Sequence, residues 1–220
     1  MAISAQHLKE IIYPDSDGNP MAENTEQYDY LTTIKAGLAA QFKQESVFVA
    51  GDLLWYPVKD RPDIKVAPDV MVVFGRPAGK RSSYKQWEEG NVVPQVVFEI
   101  LSPGNTRREM QDKRTFYHRY GVEEYYEYDP DNGTLECWRR GGEFFTYIPI
   151  DGEWTSPRLG IKLKLEEDGA LSIYHPDGRK FELTEDAILR ADAAEFRADA
   201  ADARAERLAA KLRELGIDPE

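Results

Sequence analysis

Three short apolar runs constrain this chain more than any other feature. VFVAGDLLWYPV (Val47–Val58), APDVMVVFG (Ala67–Gly75) and PQVVFEIL (Pro94–Leu101) are rich in branched and aromatic residues, as strands are. The second is apolar almost throughout, the pattern of a strand covered on both faces. RPDIK, between the first two runs, carries turn chemistry, and a loop with a short helix around Ser82–Glu89 leads to the third. Ahead of them, Leu31, Ile34, Leu38 and Phe42 recur at helical spacing and predict a helix over Asn24–Gln44. Asn24 or Thr25 can cap its start. Residues 1–20 read as a polar arm with a short helix around Gln6–Ile12.

After the third run, SPGN breaks the chain. Thr106 and Glu109 then form an S/T-x-x-E capping box that opens a helix running to about Tyr120 and stopping at Gly121. EEYYEYDP is a further strand, ended by an Asp-Pro-Asp-Asn-Gly turn. TLECWRR, EFFTYIPI, RLGIKLKL and LSIYHP follow at the short spacing of antiparallel meanders. Helix, strands, helix, strands is the order of an α/β fold, a mixed β-sheet core flanked by helices with additional antiparallel strands.

From Thr184 the composition changes. Arg190, Arg197, Arg204 and Lys211 recur every seven residues, as do Asp192, Asp199 and Glu206, in an alanine-rich background. Residues 1–182 therefore read as one domain and 183–220 as a heptad-patterned long C-terminal helix. Its apolar seam is thin: Leu189, Ala193, Phe196 and Ala200, then Leu208, Leu212 and Leu215 after a slip. Two readings stay open, a coiled coil that builds a homo-oligomer and a long solvated helix.

The formal net charge of -12 counts against a non-specific nucleic-acid binder, which rests on lysine and arginine neutralising phosphates. It leaves room for an enzyme that acts on nucleic acid, since metal-holding carboxylates add negative charge. The single cysteine, Cys137, suits a reducing cytoplasm. No leader of basic and then apolar residues is visible, and no apolar run approaches a membrane span. His7, His118 and His175 sit near no cysteine, there is no phosphate-cradling or dinucleotide fingerprint, and Ser102 lacks a nucleophile-elbow context.

Three residues stand out chemically. Glu99 lies inside VVFEIL, where a carboxylate needs a cation, a proton or strong donors. Lys113 falls on the inward stripe of its helix with Met110, Tyr117 and Tyr120, although an ordinary pair with Glu109 is an alternative. Asp69 follows Pro68 at a strand start and by itself is an ordinary turn residue. Together, two carboxylates meeting at a sheet edge form a hard-oxygen site suited to Mg²⁺ or Mn²⁺. A lysine beside them can stabilise phosphorane charge or orient water, which is what phosphodiester hydrolysis requires.

APDVMVVFG followed by VVFEILSPGNTRREMQDKRTFYHRYGVEEYYEYDP resembles the Uma family of "putative restriction endonucleases", in the PD-(D/E)XK nuclease superfamily. The resemblance spans roughly Met21–Pro176. It implies a restriction-endonuclease-like fold and a Mg²⁺-dependent endodeoxyribonuclease with DNA as substrate. Pro68-Asp69 matches the superfamily's PD and Glu99 its second acidic residue, which makes Asp69 and Glu99 the implied metal ligands. The E-x-K lysine position is occupied by Leu101, and Lys113 on the following helix stands where the family displaces it. Members of the fold often add a polar residue from the first helix; Glu23, Asn24, Glu26 and Gln27 are the candidates, with Asn24 and Gln27 on the inward stripe. Ser102 matches the family's serine after the strand, as a holder of Glu99 or a loop cap. Arg107 and Arg108, and the cluster Lys80, Arg81 and Lys85, are candidate phosphate contacts. Two other readings remain: a catalytically degenerate nuclease fold that assembles through its C-terminal helix, and a structural Glu99–Lys113 ion pair without a metal.

Overall fold

The computed structural model describes residues 11–16, 18, 22 and 24–214. The expected helix at Gln6–Ile12 falls mostly outside the described residues, and Ile11 and Ile12 lie in irregular backbone. In chain order the elements are α1 (Thr25–Gln41), β1 (Val47–Gly51), β2 (Trp55–Tyr56), β3 (Val70–Phe74), β4 (Tyr84–Lys85) and β5 (Val96–Ile100), then α2 (Arg107–Tyr120) and β6 (Glu124–Asp129). β7 (Thr134–Gly141), β8 (Phe144–Ile148), β9 (Glu153–Thr155), β10 (Lys162–Leu165), β11 (Leu171–Tyr174) and α3 (Thr184–Glu214) complete the series.

Six strands form one mixed sheet in the order β1-β3-β5-β6-β7-β8. β5 and β6 run parallel with α2 as their crossover, and the other neighbours are antiparallel. Parallel neighbours need such a crossover because a tight turn cannot reverse the chain twice. A second sheet, β11-β10-β9, is antiparallel. The first apolar run is not one strand. Asp52 adopts a left-handed φ of 46° and ends β1, so β2 leaves the main sheet and pairs with β4 instead. The expected helix at Ser82–Glu89 is the two-residue β4 followed by a single 3₁₀ turn at Gln86–Glu89.

The local signals explain the helix ends. The Asn24 side chain accepts the Gln27 N–H at 2.8 Å and starts α1. Thr106 accepts the Glu109 N–H at 3.2 Å and starts α2, while the Glu109 carboxylate accepts from the Asn105 side-chain amide. Gly121 ends α2 with φ 99°, a conformation that costs a residue with a Cβ.

Alternation along the strands makes two cores. Leu31, Ile34 and Leu38 of α1 pack with Val70, Val72, Phe98, Ile100 and Tyr126 on one face. On the other, Tyr117 of α2 packs with Phe48, Met71, Val73, Val97 and Tyr125. Each fully buried aliphatic or aromatic side chain contributes about 1.5–3 kcal/mol of transfer free energy. The second sheet adds Leu163, Leu171 and Ile173 to the α1 core, with Ile161 just before β10.

Contacts divide the chain into two compact units, Met1–Phe181 and Glu182–Glu220. In the second, α3 exposes Ile188, Leu189, Phe196 and Leu208. Among the described residues, no helix is long and apolar enough to cross a membrane.

Candidate active site

The α2 face of the main sheet changes character at one end. Val70 pairs with Phe98, so Asp69, one residue earlier, comes opposite Glu99. Glu99 pairs with Glu127, and Glu127 with Glu136. Directly paired residues share a face, so four carboxylates form one row across β3, β5, β6 and β7. These are inner strands of the sheet: the carboxylates gather at the strand ends, where β3 starts and β5 finishes, and not at a sheet edge. The edge expected from sequence is instead taken by β1, which pairs with β3.

α2 supplies the cations. Lys113 Nζ lies 2.9 Å from Glu99 Oε2, and Arg114 pairs with Glu136 at 3.4 Å. The hydrogen-bonded partner of Lys113 is therefore Glu99 on β5, beneath the helix, and not Glu109 on its own helix. One turn later, the buried Tyr117 hydroxyl donates to Glu99 Oε1. Lysine and tyrosine four apart on one helix face thus hold both oxygens of a carboxylate that is 2% exposed. Sequence periodicity placed Tyr117 inward as core; nothing in it told that the hydroxyl would reach the strand. Its ring stacks over Trp55 at 6.5 Å, which fixes the hydroxyl's direction.

Asp69 is placed differently. Its Oδ2 accepts the Ile100 N–H at 2.7 Å, tying the start of β3 to the end of β5. Among the described residues it forms no ion pair. Burial first, and then the nearby Glu99 charge, push its carboxyl up to about 8, with the Ile100 bond and Lys113 offsetting only part. Asp52 adds to the same crowding, and its N–H donates to the Asp69 carbonyl at 3.1 Å. Asp52 did not stand out in the sequence, because its proximity depends on the left-handed kink. Lys113 is affected first by burial, which lowers it, but Glu99, Asp69 and Glu109 more than reverse this and hold its ammonium charged. Tyr117 is raised by burial and by Glu99, so it stays a neutral donor. Glu127 is raised by burial and by Glu136 and Glu99, against the Tyr125 hydroxyl that donates to it at 2.5 Å.

Of the first-helix candidates, Gln27 is buried and its amide donates to the Ile100 carbonyl at 2.9 Å. Asn24 is the cap, Glu26 is exposed, and Glu23 lies outside the described residues. Ser102 caps the loop: its N–H and hydroxyl both donate to Asn105 Oδ1. Arg81 is bound to Glu89 at 2.6 Å and Lys85 lies 3.9 Å from Glu88, so only Lys80 of that basic cluster is outside an ion pair among the described residues.

The donor atoms of the row are carboxylate oxygens, the chemistry that a small hard cation takes. Four carboxylates in a row meet two basic side chains, and the most crowded of them, Asp69, has no basic partner. Among the described residues no group of three or more His, Cys, Asp or Glu is arranged to hold a metal. One or two carboxylates with water and substrate oxygen completing the shell is the usual Mg²⁺ arrangement. A thiolate or imidazole metal finds no ligands in this row.

The mixed sheet and its crossover helix α2 thus bring Lys113 to the paired carboxylates of the strand ends. The model of the Uma2 family, described as "Putative restriction endonuclease", matches residues 12–174, and the chain belongs to that family. Among solved structures, the chain is similar to one described as a putative nuclease belonging to DUF820 from Anabaena variabilis. The two are 15% identical with a TM-score of 0.48, over 62% of this chain and 75% of that one. No curated protein matches.

Proposed function

We propose that this chain is a metal-dependent endonuclease that hydrolyses DNA phosphodiester bonds at Asp69, Glu99 and Lys113. The observation that carries the reading is the row of carboxylates with Lys113 bound into it at 2.9 Å from Glu99. Family membership supports a nuclease. Asp69 and Glu99 would hold Mg²⁺ or Mn²⁺. When bound, such an ion polarises a phosphoryl oxygen and makes a water a better nucleophile at neutral pH.

Hydrolysis joins the water oxygen to phosphorus and breaks the bond to the leaving sugar oxygen. The water gives up a proton, and the leaving oxygen gains one. Lys113, kept charged by its carboxylate neighbours, does not take the proton. It acts as a donor and a positive charge beside the developing negative charge on phosphorus. Of the two roles expected of it, orienting water and stabilising phosphorane charge, this favours the second. Tyr117 is a positioning residue, fixing Glu99 through Oε1. Gln27 holds the Ile100 carbonyl, and through it the end of β5.

Supercoiled plasmid provides the test. Wild type nicks or linearises it with Mg²⁺ and not with chelator; absence of both cleavage and Mg²⁺ binding leaves the degenerate module as the better account. That second reading draws on the exposed Ile188, Leu189, Phe196 and Leu208 of α3, which a coiled coil would cover. Light scattering of the full chain and of a chain ending before residue 184 gives equal oligomeric states if α3 does not self-associate.

A further inference from the structure

Three hollows border α2 and differ in charge. The largest, about 830 Å³, is lined by Arg107 and Arg114 but also by Glu127, Asp129 and Glu136. Arg114 is already engaged, with Glu136 at 3.4 Å and over the Trp138 ring at 4.1 Å. A polyanion entering there would meet more carboxylates than cations. On the other side of α2 are two hollows of about 430 Å³ each. Both are lined by Lys65, Asp112 and Phe116, so they form one groove between α2 and the segment before β3. Arg108 lines one part and Arg119 the other, and Lys113 opens onto the first.

Lys65, Arg108 and Arg119 form no ion pair among the described residues. Asp63, a carboxylate of the groove, is neutralised by Arg61 at 2.6 Å. Thus the groove presents three cations without an ion-pair partner among the described residues, Arg119 lying over the Tyr120 ring at 5.7 Å, on a chain of net charge -12. Such local concentration is what draws a polyanion to an otherwise repelling surface. From Arg108 to Arg119 the helix rises about 16 Å at 1.5 Å per residue. That matches roughly five nucleotides along one strand at about 3.4 Å each. Sequence adjacency had grouped Arg107 with Arg108, but successive helix positions point apart, and the two face opposite hollows.

We infer that the groove of Lys65, Arg108 and Arg119 is the track for the phosphate backbone of duplex DNA, and that the larger acidic hollow is not. The inference rests on the nuclease reading and names the side from which substrate reaches Lys113. Phosphate contacts carry most of the affinity and no sequence information. Two further carboxylates line the track, Glu109 beside Arg108 and Asp112 in the middle, shared by both hollows; Asp112 opposes binding.

The test is fluorescence anisotropy of a labelled short duplex DNA with the full chain, in Ca²⁺, over a series of salt concentrations. Lys65→Ala, Arg108→Ala and Arg119→Ala each weaken binding several-fold and reduce the slope of log affinity against log salt by about 1. Arg107→Ala leaves both unchanged. Asp112→Asn tightens binding, a gain that a misfolded variant cannot give. Equal losses in Arg107→Ala and Arg108→Ala overturn the track, as do three alanine variants that bind like wild type. If duplex RNA competes better than duplex DNA, the partner is wrong. If wild type cleaves plasmid yet the groove variants bind normally, the track alone falls. If wild type neither cleaves nor binds, the nuclease reading falls and the track with it.

Discussion

The two faces of the central sheet come from the same strands, each with an apolar core, and differ sharply at one end. Val70, Phe98, Ile100 and Tyr126 face α1 in an apolar core, while Asp69, Glu99 and Glu127 share a row on the α2 side. A shift of one residue along each strand exchanges them. Alternation sets the two faces apart only there: the α1 face is apolar, whereas the α2 face has its own apolar core around Tyr117, Met71 and Val97 and, at one end, keeps charges close that burial and mutual repulsion disfavour. Natural active sites hold such unfavourable groups because the rest of the fold offsets them.

Substitutions that break this contrast should differ in size and sign. Ile34→Ala, in the α1 core at 1% exposure, removes buried methyl groups and should cost about 2–5 kcal/mol in urea unfolding, with cleavage per folded molecule unchanged. Glu99→Gln should cost less, about 1.5–3 kcal/mol, because Lys113 loses a charged hydrogen-bond partner but is partly open to water. Asp69→Asn should go the other way. The Asp69 carboxyl titrates near 4 when unfolded and at about 8 when folded, so the folded state holds the proton more tightly. Its contribution to stability is complete below about pH 4 and is lost as pH rises through about 8. Metal-free wild type should thus lose stability across that window, and Asp69→Asn should flatten the curve. A wild-type curve with no such slope would show that Asp69 is not the crowded carboxyl. The same linkage makes Mg²⁺ binding displace a proton below about pH 8, so calorimetry in buffers of different ionisation enthalpy should detect its release. Tyr117→Phe keeps the ring on Trp55 and removes one donor to Glu99; it should give the smallest effect, about a tenfold loss of cleavage or less, with a weaker Mg²⁺ midpoint.

Much of this contrast is readable from sequence, for definite reasons. Glu99 stands out because a carboxylate inside VVFEIL has no inexpensive environment. Lys113 follows from helical period, since Met110 and Tyr117 mark the buried stripe, and both are buried. The capped helices and the strands β3 and β5 follow from local pattern, whereas β4 lies where the sequence predicts a short helix. What pattern does not carry is pairing. Nothing local says that β5 sits between β3 and β6, and so nothing local aligns Glu127 and Glu136 with Glu99. The break at Asp52 is hidden in an apolar run because one left-handed residue leaves the hydrophobic pattern intact. β9 is only three residues long and gave no signal of its own. Period set Asn24 and Gln27 apart from the other first-helix candidates but could not choose between the two, and the contact of Gln27 with the Ile100 carbonyl distinguishes it.

The central claim is that Asp69, Glu99 and Lys113 act as one site. Single-turnover cleavage of plasmid by Asp69→Asn, Glu99→Gln, Lys113→Ala and the Asp69→Asn/Glu99→Gln pair measures that directly, with folding checked by thermal unfolding. Each single change should slow cleavage by about a hundredfold or more. The double variant should be no slower than the worse single, because residues acting as a unit are lost together. Losses that multiply in the double variant, or cleavage that survives all three single changes, would contradict the account.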